Sequence, residues 1–412
     1  MKNFSKYILP LLSIMILSAL TMSCTQDEPK DSPFVDPDKP NESTVLIYAV
    51  ATNSLWANLL EDKIEMTLAG PDIDLSKNNV LIYQTIYGYD EEDNRVSEAS
   101  IVKLVKQNDP VNPYGWETVK EYSNETGSLN PSRVAEVIDY VKGNFPADSY
   151  GLVFWSHSTA SQPSETTRAI SSMGSSVSSP VALPELGYFG EDQTTSQKEY
   201  TYLDIDLLAQ AVPDGLFEYI WFDSCLMSNI ETIYQFRNKC ETFVAYPTEV
   251  LDKGLPYHLV LPCMVGKDKD LVEAANRFFQ YYSESFGTIA VADMKKLGAL
   301  TDFCREIFSP GVEISVSDLT KYSRKSIGPF YDFGQYLASI AKAQGIDYET
   351  GFSALMNDFL MYKATTSGRL LNLTIDPETY SGISAHVYSF GVDDVKESYY
   401  KSLDWYKEVF GE

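Results

Sequence analysis

Short apolar runs rich in Val, Ile, Phe and Tyr recur along the chain, and their length and composition predict buried strands over residues 44–50, 80–86, 150–156, 219–223, 242–246 and 288–292. Between them, apolar residues recur at intervals of three and four over residues 132–142, 204–211, 226–239 and 270–283, the spacing of amphipathic helices. Strands alternating with helices predict an α/β fold, a mostly parallel sheet covered by helices on both faces. Ligands of such sheets sit beyond the carboxyl ends of the strands, so the residues that follow each strand are the first place to look for chemistry.

The pattern changes in three places. Residues 1–23 carry a lysine start and an apolar run too short to span a bilayer comfortably, the layout of a signal peptide. The run closes on Leu20-Thr21-Met22-Ser23-Cys24, which resembles the lipobox of bacterial lipoproteins, with Cys24 as the lipidated residue. Residues 24–43 are polar and proline-rich, a flexible tether with too little apolar surface to fold. Its acidic start resembles the tags that send Gram-negative lipoproteins to the cell surface, so the expected location is the outer membrane or cell surface, lipid-anchored. Between Ser158 and Tyr200 the chain turns to Ser, Thr, Gly and Pro, which predicts a long surface loop. From residue 314 to 412 helices and strands mix, and this stretch reads as a smaller C-terminal α+β unit packed on a main domain spanning residues 44–313.

Composition narrows the function classes. The whole chain is 44% hydrophobic and 13% aromatic, a globular composition. A formal net charge of -26 argues against nucleic acid, whose phosphates require clustered Lys and Arg, and suits basic peptides. Cys225, Cys240, Cys263 and Cys304 are scattered without framework spacing, so they are expected as thiols rather than disulfides. No His and Cys spacing of the zinc kind occurs. No metal or cofactor is required on this reading, although the acidic run Asp90-Glu91-Glu92-Asp93 could take calcium.

Two strands end in reactive residues: Gly151-Leu152-Val153-Phe154-Trp155-Ser156-His157 and Tyr219-Ile220-Trp221-Phe222-Asp223-Ser224-Cys225-Leu226-Met227. On neighbouring parallel strands, about 5 Å apart, an imidazole and a thiol at these ends face a common substrate. The helical pattern that begins at Leu226 places Cys225 at a helix start, where the dipole and unpaired N–H groups favour the attacking thiolate. His258 and His386 follow no comparable strand and read as structural or surface residues.

An apolar strand ending in His, a loop, and a second strand ending Asp-x-Cys-Leu-Met are similar to clostripain-like cysteine peptidases, the C11 family of the caspase, gingipain and legumain clan. Thr44-Val45-Leu46-Ile47-Tyr48, the segment from Ala245 to Tyr257, Tyr380-Ser381-Gly382-Ile383-Ser384 and Leu403-Asp404-Trp405-Tyr406-Lys407 extend the resemblance over nearly the whole mature chain. The resemblance implies a caspase-like fold and hydrolysis of peptide bonds after Arg or Lys through an acyl-enzyme, by a monomer that takes protein or peptide substrates. It implies Cys225 as nucleophile and His157 as general base, with the backbone N–H groups of Cys225 and Ser158 as the oxyanion hole. Asp223 lines the specificity pocket, with Glu249 and Asp252 as further candidates. Family members have Gly after the His where this chain has Ser158, which bears on the oxyanion hole. Some relatives cut themselves between His and Cys, and here Arg168 and Lys198 are the basic residues on offer, Arg168 being nearer the His. The alternative is a lipoprotein that keeps the peptidase fold as an inactive surface binding or adhesion module.

Overall fold

A computed structural model describes residues 40–89, 95–123, 126–159, 188–193, 200–308, 312, 314–323, 328–367, 369–370, 373–387 and 394–411. Cys24, the signal segment, most of the tether, the acidic run at 90–93, Arg168 and Lys198 lie outside them.

The centre is a nine-stranded sheet of order β12-β10-β9-β8-β5-β1-β2-β3-β4. Its strands are β1 (Asn41–Val50), β2 (Asn78–Tyr89), β3 (Arg95–Lys106), β4 (Tyr114–Tyr122), β5 (Ala147–Trp155), β8 (Phe217–Asp223), β9 (Cys240–Ala245), β10 (Thr288–Asp293) and β12 (Leu360–Thr365). The short strands β6 (Phe189–Asp192), β7 (Thr201–Leu203) and β11 (Phe330–Asp332) lie outside it. Strands β2, β1, β5, β8 and β9 are parallel neighbours, and antiparallel strands flank them on both sides. Each of the six apolar runs becomes one of these strands.

Burial on both faces explains why those runs are apolar without interruption. In β1, Leu46, Tyr48 and Val50 join one core and Val45, Ile47 and Ala49 the other, because successive side chains alternate across a strand. The first core is closed by helix α2 (Pro131–Asn144), helix α3 (Ile205–Ala211) and the helices Leu297–Ile307 and Phe333–Gln344. The second is closed by α1 (Trp56–Ala69), the one-turn helix Tyr257–Val260 and the helix Leu271–Tyr281. The architecture is the expected α/β sheet with helices on both faces. Residues after 314 contribute β12 to the edge of the main sheet and helices to the first core.

One predicted element is corrected. The helical pattern read from Leu226 to Lys239 is a helix only from Ile230 to Gln235, capped by Asn229. Cys225 therefore stands in a turn, separated from the helix by residues 226–229, and receives no help from its dipole. The cause is Leu226, whose φ of 64° is the only positive one outside glycine among the described residues and breaks helical geometry at once.

Candidate active site

Register brings the two reactive residues level. Trp155 of β5 pairs with Asp223 of β8, and each reactive residue follows two positions later, His157 on one strand and Cys225 on the next. On the other side of β5 lies β1, with Ala49 opposite Trp155. The imidazole is thus bracketed by the chain leaving β1 and the chain leaving β8. Its Nε2 lies 2.8 Å from Ser54 Oγ, in the turn after β1. Both His157 and Cys225 are half-buried.

The thiol is met by backbone rather than by a helix end. The Val250 N–H points at Cys225 Sγ across 3.4 Å, and the thiol can itself donate to the Val250 carbonyl at 3.9 Å. The sulfur is thus held between the N–H and the carbonyl of one residue, where the sequence predicts a helix end. Val250 belongs to the stretch that leaves β9, a strand next to β8. None of Cys225, Cys240, Cys263 and Cys304 is in a disulfide, and burial pushes the thiols of Cys240 and Cys304 far above their usual range, which keeps them unreactive.

Ser158 stands where the family pattern has glycine, and its surroundings account for the substitution. Its backbone lies outside the left-handed region, so a side chain causes no strain there. The hydroxyl donates to the Cys225 carbonyl at 2.5 Å, tying the two strand ends together. Ser158 forms an antiparallel bridge with Phe189 of β6, in which Gly190 N–H donates to the His157 carbonyl and Thr159 N–H to the Tyr188 carbonyl. Since alternate peptide groups of an extended chain point opposite ways, the Ser158 N–H is turned from β6.

Asp223 lies beneath this edge. It faces the second core, 4% exposed, and accepts hydrogen bonds from Tyr257 Oη at 3.0 Å, Tyr246 Oη at 3.2 Å and the Leu255 N–H at 3.3 Å. Burial pushes its carboxyl up to about 6 against the opposing pull of those donors. Next to it, Asp62 of α1 accepts from Trp155 Nε1 at 2.8 Å, and burial followed by the charge of Asp223 pushes it up to about 9. In this pair of carboxyls Asp62 holds the proton and Asp223 titrates first. A Cβ at Gly254 would lie 2.9 Å from Asp223 Oδ2, so a glycine is required for the chain to pass this close to the carboxylate. Glu249 is buried in the segment beside Val250, and Asp252 is exposed in the turn that Gly254 closes on Leu251.

The structure thus brings His157, Ser158, Cys225, Asp223 and the 249–254 segment to one sheet edge. The sequence reading missed Ser54, the Val250 amide and Asp62. Ser54 lies four residues beyond a predicted strand, and the adjacency of β1 to β5 is what brings it to the histidine.

Known proteins resemble this chain over most of its length. A family model described as the clostripain family, Peptidase C11, matches residues 47–327. Among solved structures, an inactive zymogen C11 protease from Parabacteroides distasonis superposes with a TM-score of 0.70 at 26% identity, over 90% of this chain and 99% of the other. A secreted C11 cysteine protease from Bacteroides thetaiotaomicron, in complex with an irreversible peptide inhibitor, superposes with the same score and coverage at 22% identity. A search among proteins of curated function finds no match.

Proposed function

This chain belongs to the clostripain family of C11 cysteine peptidases, and we propose that it cleaves peptide bonds after Arg or Lys with Cys225 as nucleophile and His157 as general base. The observation that carries this reading is the common register of the β5 and β8 ends, in which His157 and Cys225 each follow by two positions a pair of residues matched across adjacent parallel strands. The proton leaving Sγ passes to the imidazole, the thiolate attacks the scissile carbonyl, and the imidazolium returns the proton to the leaving amine. Water, activated by the same ring, then releases the acyl group. The Ser158 and Cys225 N–H groups are the donors for the oxyanion, each contributing about 3 to 4 kcal/mol when well placed. Asp223, with Glu249 and Asp252 at the pocket wall, supplies the negative charge that selects a basic side chain.

The same reading extends to export and maturation. Cys24 is the lipidation site that holds the enzyme at the outer membrane by a tether, and cleavage at Arg168, or failing that Lys198, between the His and Cys strands matures it. A zymogen among the relatives supports a maturation step of some kind.

The test is labelling by a peptidyl electrophilic ketone with Lys or Arg next to the warhead. Wild-type protein is expected to be modified at Cys225, with labelling abolished in Cys225→Ala and reduced by at least about a hundredfold in His157→Ala. A wild-type protein that stays unlabelled, before and after limited proteolysis, would sink the reading in favour of a non-catalytic binding module.

A further inference from the structure

A general base needs its ring held in one orientation with the lone pair on the correct nitrogen. The contact at Nε2 of His157 is the hydroxyl of Ser54, 2.8 Å away. From this geometry we infer that Ser54 is the positioning residue of the catalytic histidine, accepting a hydrogen bond from Nε2–H so that Nδ1 presents its lone pair to the Cys225 thiol. The inference rests on the Cys225 and His157 reading above.

The turn that carries Ser54 is built to hold it there. Asn53, beside it, is buried and spends its whole amide on the chain segments around the histidine. Its Nδ2 donates to the carbonyls of Val50 at 2.9 Å and Glu191 at 2.8 Å and meets Ser156 Oγ at 3.3 Å, while its Oδ1 accepts from the Leu55 N–H at 2.8 Å. Ser156, the residue before His157, donates its hydroxyl to the same Val50 carbonyl at 2.8 Å. Asn53 and Ser156 therefore lock the backbone on both sides of the Ser54–His157 contact to the end of β1. An exposed serine on an unsupported loop would give up such a contact to water; here the backbone is fixed and only one rotor remains to be ordered.

The proton balance assigns the direction of the bond. When the S–H bond breaks, its electron pair stays on sulfur and its proton binds Nδ1. The ring is then an imidazolium with both nitrogens protonated, and Ser54 Oγ accepts from Nε2–H before and after the transfer. Ser54 neither gains nor loses a proton. It acts by keeping the wrong nitrogen from competing for the thiol's proton and by preventing rotation of the ring.

The decisive measurement uses the unmutated protein with ¹⁵N-labelled histidine. The chain has 3 histidines, so three ring systems are expected, and His157→Ala identifies the relevant one. In the neutral ring, Nε2 of His157 is expected to carry the proton and to show a signal that persists against exchange with water. A lone-pair-bearing Nε2 would overturn the inference without recourse to any variant. In Ser54→Ala the Nε2–H signal is expected to broaden away and kcat to fall by about tenfold with KM held within about twofold, whereas Ser54→Thr restores both. A Ser54→Ala protein matching the wild type in spectrum and kcat would equally overturn it, as would a fall in kcat that Ser54→Thr fails to restore. The spectra do not depend on turnover, so failure of the peptide ketone to label Cys225 counts against the peptidase reading and leaves the Ser54 result separately readable.

Discussion

The proposed role of Asp223 in selecting a basic side chain carries a pH dependence, because its carboxyl is raised to about 6. Asp223 is neutral below that value and charged above it, because burial disfavours its anion more than the Tyr257, Tyr246 and Leu255 donors favour it. If Asp223 recognises a basic side chain as proposed, that attraction vanishes on acidification through about 6. We expect the ratio of kcat/KM for an Arg substrate over its isosteric neutral analogue to fall by about tenfold or more between pH 7.5 and 5. The pH profile of that ratio checks it, since effects on the Cys225 and His157 chemistry cancel between the two substrates. A flat ratio would remove Asp223 from substrate recognition. Ser158 shows the opposite lesson at the same scale: what reads as a departure from a glycine pattern proves, in its contacts, to be a donor to the Cys225 carbonyl.

At the scale of elements, the turn between β8 and the helix Ile230–Gln235 decides where the sulfur stands. Leu226 adopts a left-handed backbone that costs a bulky residue on the order of 1–2 kcal/mol, and its surroundings enforce it. Its N–H donates to the Thr248 carbonyl at 2.9 Å, its carbonyl accepts from Asn229 Nδ2 at 2.7 Å, and its side chain is fully buried. Asn229 also caps the helix, accepting from the Thr232 N–H at 2.9 Å. Asn229→Ala removes both bonds in a buried site and is expected to cost about 2 kcal/mol of stability. Because the turn that holds Cys225 slackens with it, kcat should fall while KM changes little. Denaturant unfolding and steady-state kinetics on the same preparation separate the two effects. A variant with wild-type stability would show that the strained turn is held elsewhere.

Across the whole molecule, α1, β5, β8 and the 246–282 region converge on the buried Asp62 and Asp223 carboxyls, and the protein carries this cost between its layers. The carboxyl of Asp62 is raised from about 4 in the unfolded chain to about 9 in the fold. A group raised in this way stabilises the fold relative to its charged form below about pH 4, and that contribution is lost progressively as pH rises through the folded value near 9. Replacing it by a group that never ionises should remove the dependence. Asp62→Asn, which keeps an oxygen for Trp155 Nε1, is expected to match the wild type near pH 4 and to exceed it by on the order of 2–4 kcal/mol near pH 7. Urea unfolding at the two pH values tests this. Equal stability of both proteins at the higher pH would mean that Asp62 is ionised and paired in the fold.

The sequence by itself determined the buried strands, the α/β class, and the residues His157 and Cys225 as a pair at strand ends, because burial on both faces writes an apolar run and strand ends in such sheets carry the chemistry. It did not disclose α1, whose apolar residues form two stripes, Leu59, Met66 and Ala69 inward and Trp56, Leu60, Ile64 and Leu68 exposed, so that no single face stands out. Edge strand β4 was equally silent, being half-exposed and without an apolar run. The tertiary structure alone decided strand order, and with it everything that reaches the site from a distance. Ser54 meets His157 because β1 lies beside β5, Val250 meets Cys225 because β9 lies beside β8, and Asp62 meets Trp155 because α1 folds back over the sheet. These partners are 103, 25 and 93 residues apart along the chain. Local periodicity records which face of an element is buried and carries no record of which element buries it.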